Sequence, residues 1–357
     1  MRIGFAGLLM VGVSSPNLSH AETSLQASLT PTVTITGILG SLQQVQYSTN
    51  MADTNGWSPL AVVRMDASVK SFYDATASGP QRFYRTVLMG VTDTNLVWVP
   101  PGTFLMGSPS NEVTRSSTEG PQTPVTLTQG FLMGRYEVRI PEMAVYLTNY
   151  AYLSNGSNAR YPVYLSTWQD ATNYCGLRTD YERAQGMIPS DWAYRLPTEV
   201  EWEYACRAGT TTPFSFGNEL RNDAVRSDAW FDGNAPYPTN LVVVGGITPG
   251  NSGWTNVGSF PANAFGLCDM HGSETEWCLD TYPGSTSIQN PIYAYPGVAI
   301  TNPVAPRLGD YAIYRGGGKV DPAYRCRSAT RRVFRVDTSN TIGFRVVLSP
   351  TNSPVLP

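Results

Sequence analysis

The sequence predicts an α+β protein with much irregular chain, preceded by a small all-β module. Gly (33) and Pro (27) are abundant, and charged residues make up only 14% of the 357 residues, which is typical of a turn-rich globular chain. Short β-like runs are concentrated in the first quarter of the chain, and two capped helical segments lie well beyond them. The formal net charge of −3 and the scattered basic residues exclude an extended nucleic-acid surface.

The N-terminus has the pattern of an export signal. Arg2 precedes an apolar stretch from Ile3 to Val13, and residues 19–21 form a small-x-small cleavage site. The stretch is too short to span a bilayer. The alternative to an export signal is a buried N-terminal strand or helix. We expect residues 1–21 to be a signal peptide, and the mature protein to be secreted, periplasmic or at the cell surface, without a transmembrane segment.

Residues 31–91 have the pattern of a small β-sandwich module. Four β-like runs are separated by turn residues: Val33–Thr36, Val45–Ser48, Leu60–Val63 and Arg82–Val87. This stretch contains neither His nor Cys and no cluster of acids. We therefore expect a binding, spacer or anchoring role for it.

A second unit is predicted from residue 96 to residue 348, and its helices are located by their capping residues. Thr198 and Glu201 form a capping box before a run that ends near Gly209. Thr167 and Asp170 form a second helix start.

Two stretches lack periodic patterning. Residues 210–263 are rich in Gly, Pro and Asn, and irregular chain of that length inside a domain is usually functional or fixed by ions or disulfides. The tail at 349–357 is rich in Pro and Ser, so we predict that it is disordered.

A series of motifs in the second unit resembles the formylglycine-generating enzyme (sulfatase-modifying factor) family over about residues 96–348. The motifs in chain order are Val97-Trp98-Val99-Pro100-Pro101-Gly102, Tyr136-Glu137-Val138, Arg195-Leu196-Pro197-Thr198-Glu199, Asn263-Ala264-Phe265-Gly266-Leu267, Glu276-Trp277, Tyr314-Arg315-Gly316-Gly317 and Gly343-Phe344-Arg345-Val346. The resemblance implies a C-type-lectin-like fold that is poor in regular structure. It leaves the function open, because one fold hosts many activities.

The resemblance places a catalytic copper site at Asp321 and Cys326. The oxidases of the family bind Cu(I) with two cysteines at these positions, and Cu(I) favours sulfur ligands. Here Cys326 matches the second cysteine, but Asp321 replaces the first with a hard carboxylate ligand. We therefore expect the copper site to be lost, and Cys326 to be catalytic only if the protein is active.

Two further features of the sequence limit the reactions that the domain could catalyse. Glu274 and Thr275 replace a Val-Trp pair that is usual in the family beside the active cleft, which adds charge there. Only His20 and His271 occur, so a multi-histidine iron site is excluded once the signal peptide is removed. His271 is interpreted as a loop or supporting residue.

Calcium is the ion that the resemblance favours. The family binds Ca²⁺ with an Asn side chain and backbone carbonyls at positions that match Asn263, Ala264, Gly266 and Cys268. The alternative is a loop of the same sequence without metal. A second family site would begin at Asp228, but its downstream acid is not evident.

The cysteines and arginines leave alternatives open. The resemblance places Cys278 near Cys326, so a disulfide between them is a hypothesis, whereas Cys206 lacks its family partner because Val346 stands there. Five arginines are concentrated in the segment directly after Asp321: Arg325, Arg327, Arg331, Arg332 and Arg335. They form either internal salt bridges or a site for an anion or a peptide carboxylate.

The sequence thus predicts an exported protein whose family domain lacks the copper site and binds a peptide, a protein surface or a glycan. Glu276, Trp277, Arg327 and Arg331 are the expected ligand contacts. The alternative is a copper-dependent formylglycine-generating oxidase, or a related periplasmic maturation enzyme, acting on a protein cysteine. A structural or adhesive surface protein is a third interpretation.

Overall fold

The computed structural model describes residues 31–36, 42–52, 56–65, 67–74, 77, 82–89, 91, 93–153, 159–217, 229, 256–284, 296–304, 306–338 and 341–354. The chain divides into two compact units, with the boundary between Thr92 and Asp93. The predicted signal peptide, Asp228 and most of the Gly- and Pro-rich stretch lie outside the described residues. Among the described residues, no helix has the length and apolar character needed to cross a membrane.

Short strands dominate the structure. They are β1 Thr32–Thr36, β2 Leu42–Ser48, β3 Ser58–Arg64, β4 Val69–Tyr73, β5 Phe83–Met89, β6 Leu96–Val99, β7 Gly102–Met106, β8 Thr123–Leu127, β9 Phe131–Gly134, β10 Trp192–Arg195, β11 Thr275–Tyr282, β12 Ile300–Thr301, β13 Tyr311–Arg315, β14 Arg332–Arg335, β15 Ile342–Gly343 and β16 Val347–Pro350. The α-helices are α1 Ile140–Tyr146, α2 Trp168–Ala184 and α3 Glu199–Arg207. This mixture, rich in sheet and poor in helix, agrees with the predicted α+β class.

The first unit consists of two small sheets. Strands β1 and β4 pair antiparallel, and β2 lies between β3 and β5. Apolar residues from both sheets, among them Ile35 and Val45, form one buried cluster. The four predicted runs all fall on strands, whereas β4 was missed because its exposed and half-buried residues alternate without a clear apolar face.

The second unit contains three sheets, with the orders β10-β16-β9-β6, β14-β13-β11-β15 and β12-β8-β7. In the sheet β14-β13-β11-β15, strand β11 pairs antiparallel with β13 and parallel with β15. Every residue of β11 is buried. One hydrophobic cluster, which includes Trp202, Cys278 and Ile313, joins helix α3 to this sheet.

Both predicted helix starts are confirmed. The Thr198 hydroxyl accepts the Glu201 N–H at 3.2 Å, and the Glu201 carboxylate accepts the Thr198 N–H at 2.9 Å. These reciprocal bonds satisfy N–H groups that have no partner within the helix. Thr167 and Asp170 form the same box at the start of α2. Ala208 and Gly209 have positive φ and end α3 where the sequence predicted.

The prediction of a disordered tail at 349–357 is wrong for its described part. Strand β16 continues to Pro350 and pairs with β10, and the Thr351 N–H donates to the Asp191 carbonyl at 2.7 Å. Ser353 is also buried. Pairing with a distant strand overrides the local composition, and such a partner is invisible in a nine-residue window.

Candidate functional site

A polar cleft of about 250 Å³ lies beside the sheet β14-β13-β11-β15. The cleft is lined by residues from the start of β11, the end of β13, and the starts of β14 and β15. The loop after β13 completes the lining. The charged lining residues of the cleft are Glu274, Lys319, Asp321, Arg325 and Arg332. The cleft therefore includes Asp321, one of the two positions at which the resemblance placed the altered copper site.

The loop after β13 requires glycine. Gly316 and Gly317 have φ values of 94° and 67°, which disfavour residues with a side chain. A Cβ atom on Gly317 would also lie 2.6 Å from the Cys326 sulfur. The loop is held by a bond from the Lys319 N–H to the Ser273 carbonyl at 3.0 Å. This backbone path brings Lys319 to the cleft lining.

At the mouth of the cleft, two arginine side chains donate hydrogen bonds to one aspartate. Asp321 Oδ1 accepts from Arg325 at 2.9 Å and from Arg332 at 3.2 Å, and Oδ2 accepts the Gly318 N–H at 3.2 Å. The arginine side chains are 39% and 41% exposed, against 10% for Asp321. Because two guanidinium groups face one carboxylate, the mouth has a net positive charge and exposed donors.

The buried part of the cleft lining carries an amine and a carboxylate. Lys319 is 8% exposed and Glu274 is 2% exposed. Burial lowers the pKa of the Lys319 amine to about 7, and the nearby Glu274 charge opposes that shift. A substantial fraction of the amine is therefore neutral at neutral pH.

Cys326 does not line the cleft. Its side chain is fully buried in a small cluster with Phe214, Ala229 and Ala323, and burial raises the pKa of the thiol. All the contacts of the Asp321 carboxylate named above are to N–H donors. A buried protonated thiol and a carboxylate held by two guanidinium groups do not fit a Cu(I) site, which needs thiolate ligands.

Glu276 and Trp277, two of the predicted ligand contacts, are both fully buried. The Glu276 carboxylate pairs with Arg345 at 2.7 Å and accepts from the Trp202 indole at 2.8 Å. The Trp277 indole donates to the Ser166 carbonyl at 3.1 Å. Successive residues on a strand face opposite sides, but both sides of β11 are covered, so neither side chain faces solvent.

Arg327 and Arg331, the other predicted contacts, serve as internal cations. Arg327 forms two bonds to the Glu119 carboxylate, at 2.7 and 2.8 Å. Arg331 forms two bonds to Glu199, at 2.6 and 2.8 Å. Each is buried and bidentate, which is the geometry of a structural ion pair. The structure thus divides the arginine cluster: Arg325 and Arg332 line the cleft, whereas Arg327 and Arg331 face acids inside the fold.

The disulfide hypothesis is wrong: all five cysteines are free and buried. Cys278 belongs to the large core cluster and Cys326 to the small one. Cys206, which lacks its family partner, is also buried. Its sulfur lies 3.6 Å from Nε2 of His271, whose Nδ1 lies 2.8 Å from the Cys326 carbonyl oxygen. His271 is therefore a buried, hydrogen-bonded residue that does not line the cleft.

The proposed calcium loop closes on itself. Oδ1 of Asn263 accepts two backbone N–H groups, from Phe265 at 3.0 Å and Leu267 at 3.1 Å. The Cys268 carbonyl accepts from Arg345 at 3.0 Å. Exposed Ala264 and half-buried Gly266 complete the loop. These contacts use the Asn263 and Cys268 oxygens, two of the four that the resemblance assigned to the ion, and Asn263 is the only one of the four with a side-chain ligand. With that side chain bonded to its own backbone, the residues present do not fit the ion. Among the residues that the structure describes, no three His, Cys, Asp or Glu side chains are grouped for a metal.

Sequence reasoning missed Lys319, and it considered Glu274 only as a departure from the family. One signal was available. Lys319 is one of only two lysines in a chain with 24 lysines and arginines, the other being Lys70. It lies between the Arg-Gly-Gly motif and Asp321, so the resemblance already placed it next to the cleft.

Comparison with known proteins places the second unit in a family. The profile of the sulfatase-modifying factor enzyme 1-like domain matches residues 89–350. The formylglycine-generating enzyme of Mycobacterium tuberculosis is 34% identical in an alignment of 170 positions that covers 45% of this chain and 53% of that protein. The enzyme of Mus musculus is 26% identical in an alignment of 308 positions that covers 71% of this chain and 74% of that protein.

Two further comparisons bear on activity and fold. A second Mus musculus protein, named inactive C-alpha-formylglycine-generating enzyme 2, is 28% identical over 196 residues, covering 53% of this chain and 49% of that protein. The structure of PvdO from Pseudomonas aeruginosa superposes with a TM-score of 0.53 at 27% identity, over 71% of this chain and 94% of that one. The profile match, the motif order and the structural likeness agree: this chain belongs to the sulfatase-modifying factor enzyme 1-like family.

Proposed function

We propose that this is an exported protein whose family domain binds an acidic segment of a peptide or protein in the cleft, and that it is not a copper-dependent oxidase. One observation carries the proposal. Asp321, which stands at a copper-ligand position of the family, holds Arg325 and Arg332 at the mouth of the cleft. The substitution that removes a soft metal ligand thus builds a site for anionic groups.

The rim supports a peptide or protein ligand. Val320 lines the cleft and is 53% exposed. Tyr324 is 39% exposed, and the Arg325 guanidinium carbon lies 5.8 Å from the centre of its ring. Apolar side chains next to arginines are typical of binding surfaces, where the aromatic residue supplies contact area and the arginine fixes a carboxylate. An anionic glycan would meet the same guanidinium groups and is the alternative ligand.

Export and the finer architecture belong to the same proposal. Export is supported by the N-terminal pattern of a charged residue, an apolar stretch and a small-residue cleavage site. A sandwich in the first unit is supported by the single hydrophobic cluster that its two sheets share. The lectin-like chain path is supported by the family membership of the second unit. Calcium is left out of the proposal because Asn263 is bonded within its own loop.

Binding is tested with two arginines that form a matched pair. Arg332 and Arg335 are at the two ends of β14, each is partly exposed, and each pairs with an aspartate, but only Arg332 lines the cleft. A fluorescent Glu-rich peptide is titrated by anisotropy into the wild type, Arg332→Gln and Arg335→Gln, with a Lys-rich peptide and a sulfated glycan as comparison probes. We expect the Glu-rich peptide to bind best, with about tenfold weaker binding for Arg332→Gln alone. Equal loss in the two variants, or preference for the Lys-rich peptide, would contradict the proposal.

The oxidase alternative, which is favoured by the names of the relatives, needs its own experiment. The purified protein is incubated in air with Cu(I) and a Cys-x-Pro-x-Arg peptide, and the peptide is followed by mass spectrometry. We expect no conversion by the wild type. Conversion that is lost in Cys326→Ser would reject the binding proposal. An Asp321→Cys variant tests whether the missing thiolate alone prevents the reaction.

A further inference from the structure

We propose that Lys319 forms an imine with a small aldehyde or 2-oxo acid that enters the cleft. This goes beyond the binding function above, because it assigns a covalent reaction to the buried part of the lining. The inference starts from placement. In a chain that uses arginine almost throughout, one of the two lysines lies buried in the described cleft next to a buried carboxylate.

Arginine cannot serve at this position, because its guanidinium group stays charged and is a poor nucleophile. A lysine amine attacks carbonyl carbons when it is neutral, and burial produces neutral amines. Burial lowers the pKa of Lys319 to about 7, although the charge of Glu274 works in the opposite direction. The charged and titratable groups around this amine are Glu274, Asp321, Arg325, Arg332 and Tyr314.

The surroundings suit a carbonyl compound that carries a carboxylate. Arg325 and Arg332 supply exposed guanidinium groups at the mouth, which bind carboxylates. Tyr314 adds a largely buried ring to the lining. A cleft of about 250 Å³ has room for a small carbonyl compound, or for one side chain of a peptide whose remainder lies on the rim.

The reaction balances without an oxidant. The neutral nitrogen attacks the carbonyl carbon, a C–N bond forms, the C=O π bond breaks, and one of the two amine protons passes to the oxygen to give a carbinolamine. The C–O bond then breaks, the one proton left on nitrogen passes to the departing oxygen, and water leaves. The Glu274 carboxylate, which acts electrostatically on the amine, accepts the proton from nitrogen and returns it to the departing oxygen. The net change is amine plus carbonyl to imine plus water.

The test uses the full-length protein with glyoxylate and cyanoborohydride, which reduces the imine to a stable secondary amine. A tryptic digest locates the adduct, because modified Lys319 is no longer cleaved and leaves the peptide Gly316–Arg325 intact. Lys70 is the internal control: it belongs to the other unit, is half-buried, and donates to the Arg64 carbonyl at 3.1 Å. We expect labelling at Lys319 at least about tenfold faster than at Lys70 at pH 7, because an ordinary lysine amine is almost entirely protonated there.

Variants separate chemistry from binding. Lys319→Arg should abolish the fast labelling, and Glu274→Gln should slow it. Arg332→Gln should slow labelling by glyoxylate more than labelling by acetaldehyde, which has no carboxylate. Urea unfolding establishes that each variant is folded. Labelling of Lys319 at or below the rate of Lys70 in the folded wild type would overturn the inference, whatever the acidic-peptide titration shows.

Discussion

Arg345 and Glu276 form an ion pair from which solvent is fully excluded. Two contacts of 2.7 Å join the guanidinium group to the carboxylate, and the remaining Arg345 donors reach backbone carbonyls, including that of Gly134 at 3.1 Å. Such a pair adds little net stability when intact, but the loss of one partner leaves a buried charge alone. The folded core therefore requires both residues.

We expect Arg345→Met to lower the free energy of unfolding by about 3–5 kcal/mol, because Glu276 would remain buried without its cation. Urea unfolding followed by tryptophan fluorescence measures the change. Arg335→Met is the control, since Arg335 pairs with Asp337 where both side chains are about half exposed, and it should have little effect. Similar losses in the two variants would show that the Glu276 environment is more solvated than the structure indicates.

His271 should make the protein sensitive to acid. Burial lowers the pKa of His271 to about 4, and its Nε2 accepts the Ser215 N–H at 3.0 Å, which holds that nitrogen unprotonated. In the unfolded chain the His271 imidazole binds a proton near pH 6.5, whereas in the folded chain it stays neutral until the pH approaches 4. The stability that neutral His271 provides is therefore present above pH 6.5 and is lost as the pH falls toward 4.

The pH dependence of the His271 contribution is measured by comparing the wild type with His271→Gln. The comparison is needed because other buried groups, such as Asp269 with a pKa raised to about 6, change stability with pH in the opposite direction. We expect the stability difference between the wild type and His271→Gln to shrink between pH 7.5 and pH 4.5 in urea titrations. A difference that is independent of pH would mean that His271 titrates normally.

At the level of elements, local signals located the helices that have caps and the strands that alternate. Thr198 and Thr167 are followed by an acid three residues later, and this pattern does not depend on distant partners. Strand β11 gave no such signal. It combines Glu276, Cys278 and Asp280 in a fully buried run, and its acids are tolerated because their partners come from other parts of the chain. Binary patterning cannot foresee that.

We expect Thr198→Ala to cost about 1 kcal/mol of stability, because the Glu201 N–H at the start of α3 would lose its acceptor. Thr198→Ser retains the hydroxyl and should remain close to the wild type. Thermal unfolding of the three proteins distinguishes these cases. Equal losses in both variants would assign the effect to the threonine methyl group and not to the cap.

At the level of the whole molecule, the division between Thr92 and Asp93 predicts two cooperative units. A chain shortened to residues 93–357 should keep a sharp thermal transition, because the family profile matches only residues 89–350 and the core cluster of the sheet lies within them. Differential scanning calorimetry of the full and shortened chains measures this. Loss of the transition on shortening would show that the first unit is required for folding.

For the candidate site, the resemblance named Asp321 and Cys326, and the arginines that follow Asp321 were interpreted as either structural or anion-binding. In the structure Asp321 lines the cleft, whereas Cys326 lies in a separate buried cluster. The arginines differ in their burial. Arg327 and Arg332 are five residues apart, yet one pairs with Glu119 inside the fold and the other opens to solvent. Only the three-dimensional course of the chain separates them, because the acids they face are about 200 residues and 11 residues away.

The buried arginines also bear on how the protein is made. Arg315, Arg327, Arg331 and Arg345 all occur late in the chain, whereas the acids that they face, Glu119, Glu199, Glu203 and Glu276, are all synthesised before them. A nascent chain that stops short of residue 345 therefore carries acids destined for the interior without the cations that permit their burial. The second unit should fold only after that point has left the ribosome. A polypeptide handed to an export machinery during synthesis would then still be unfolded, as passage through a membrane pore requires.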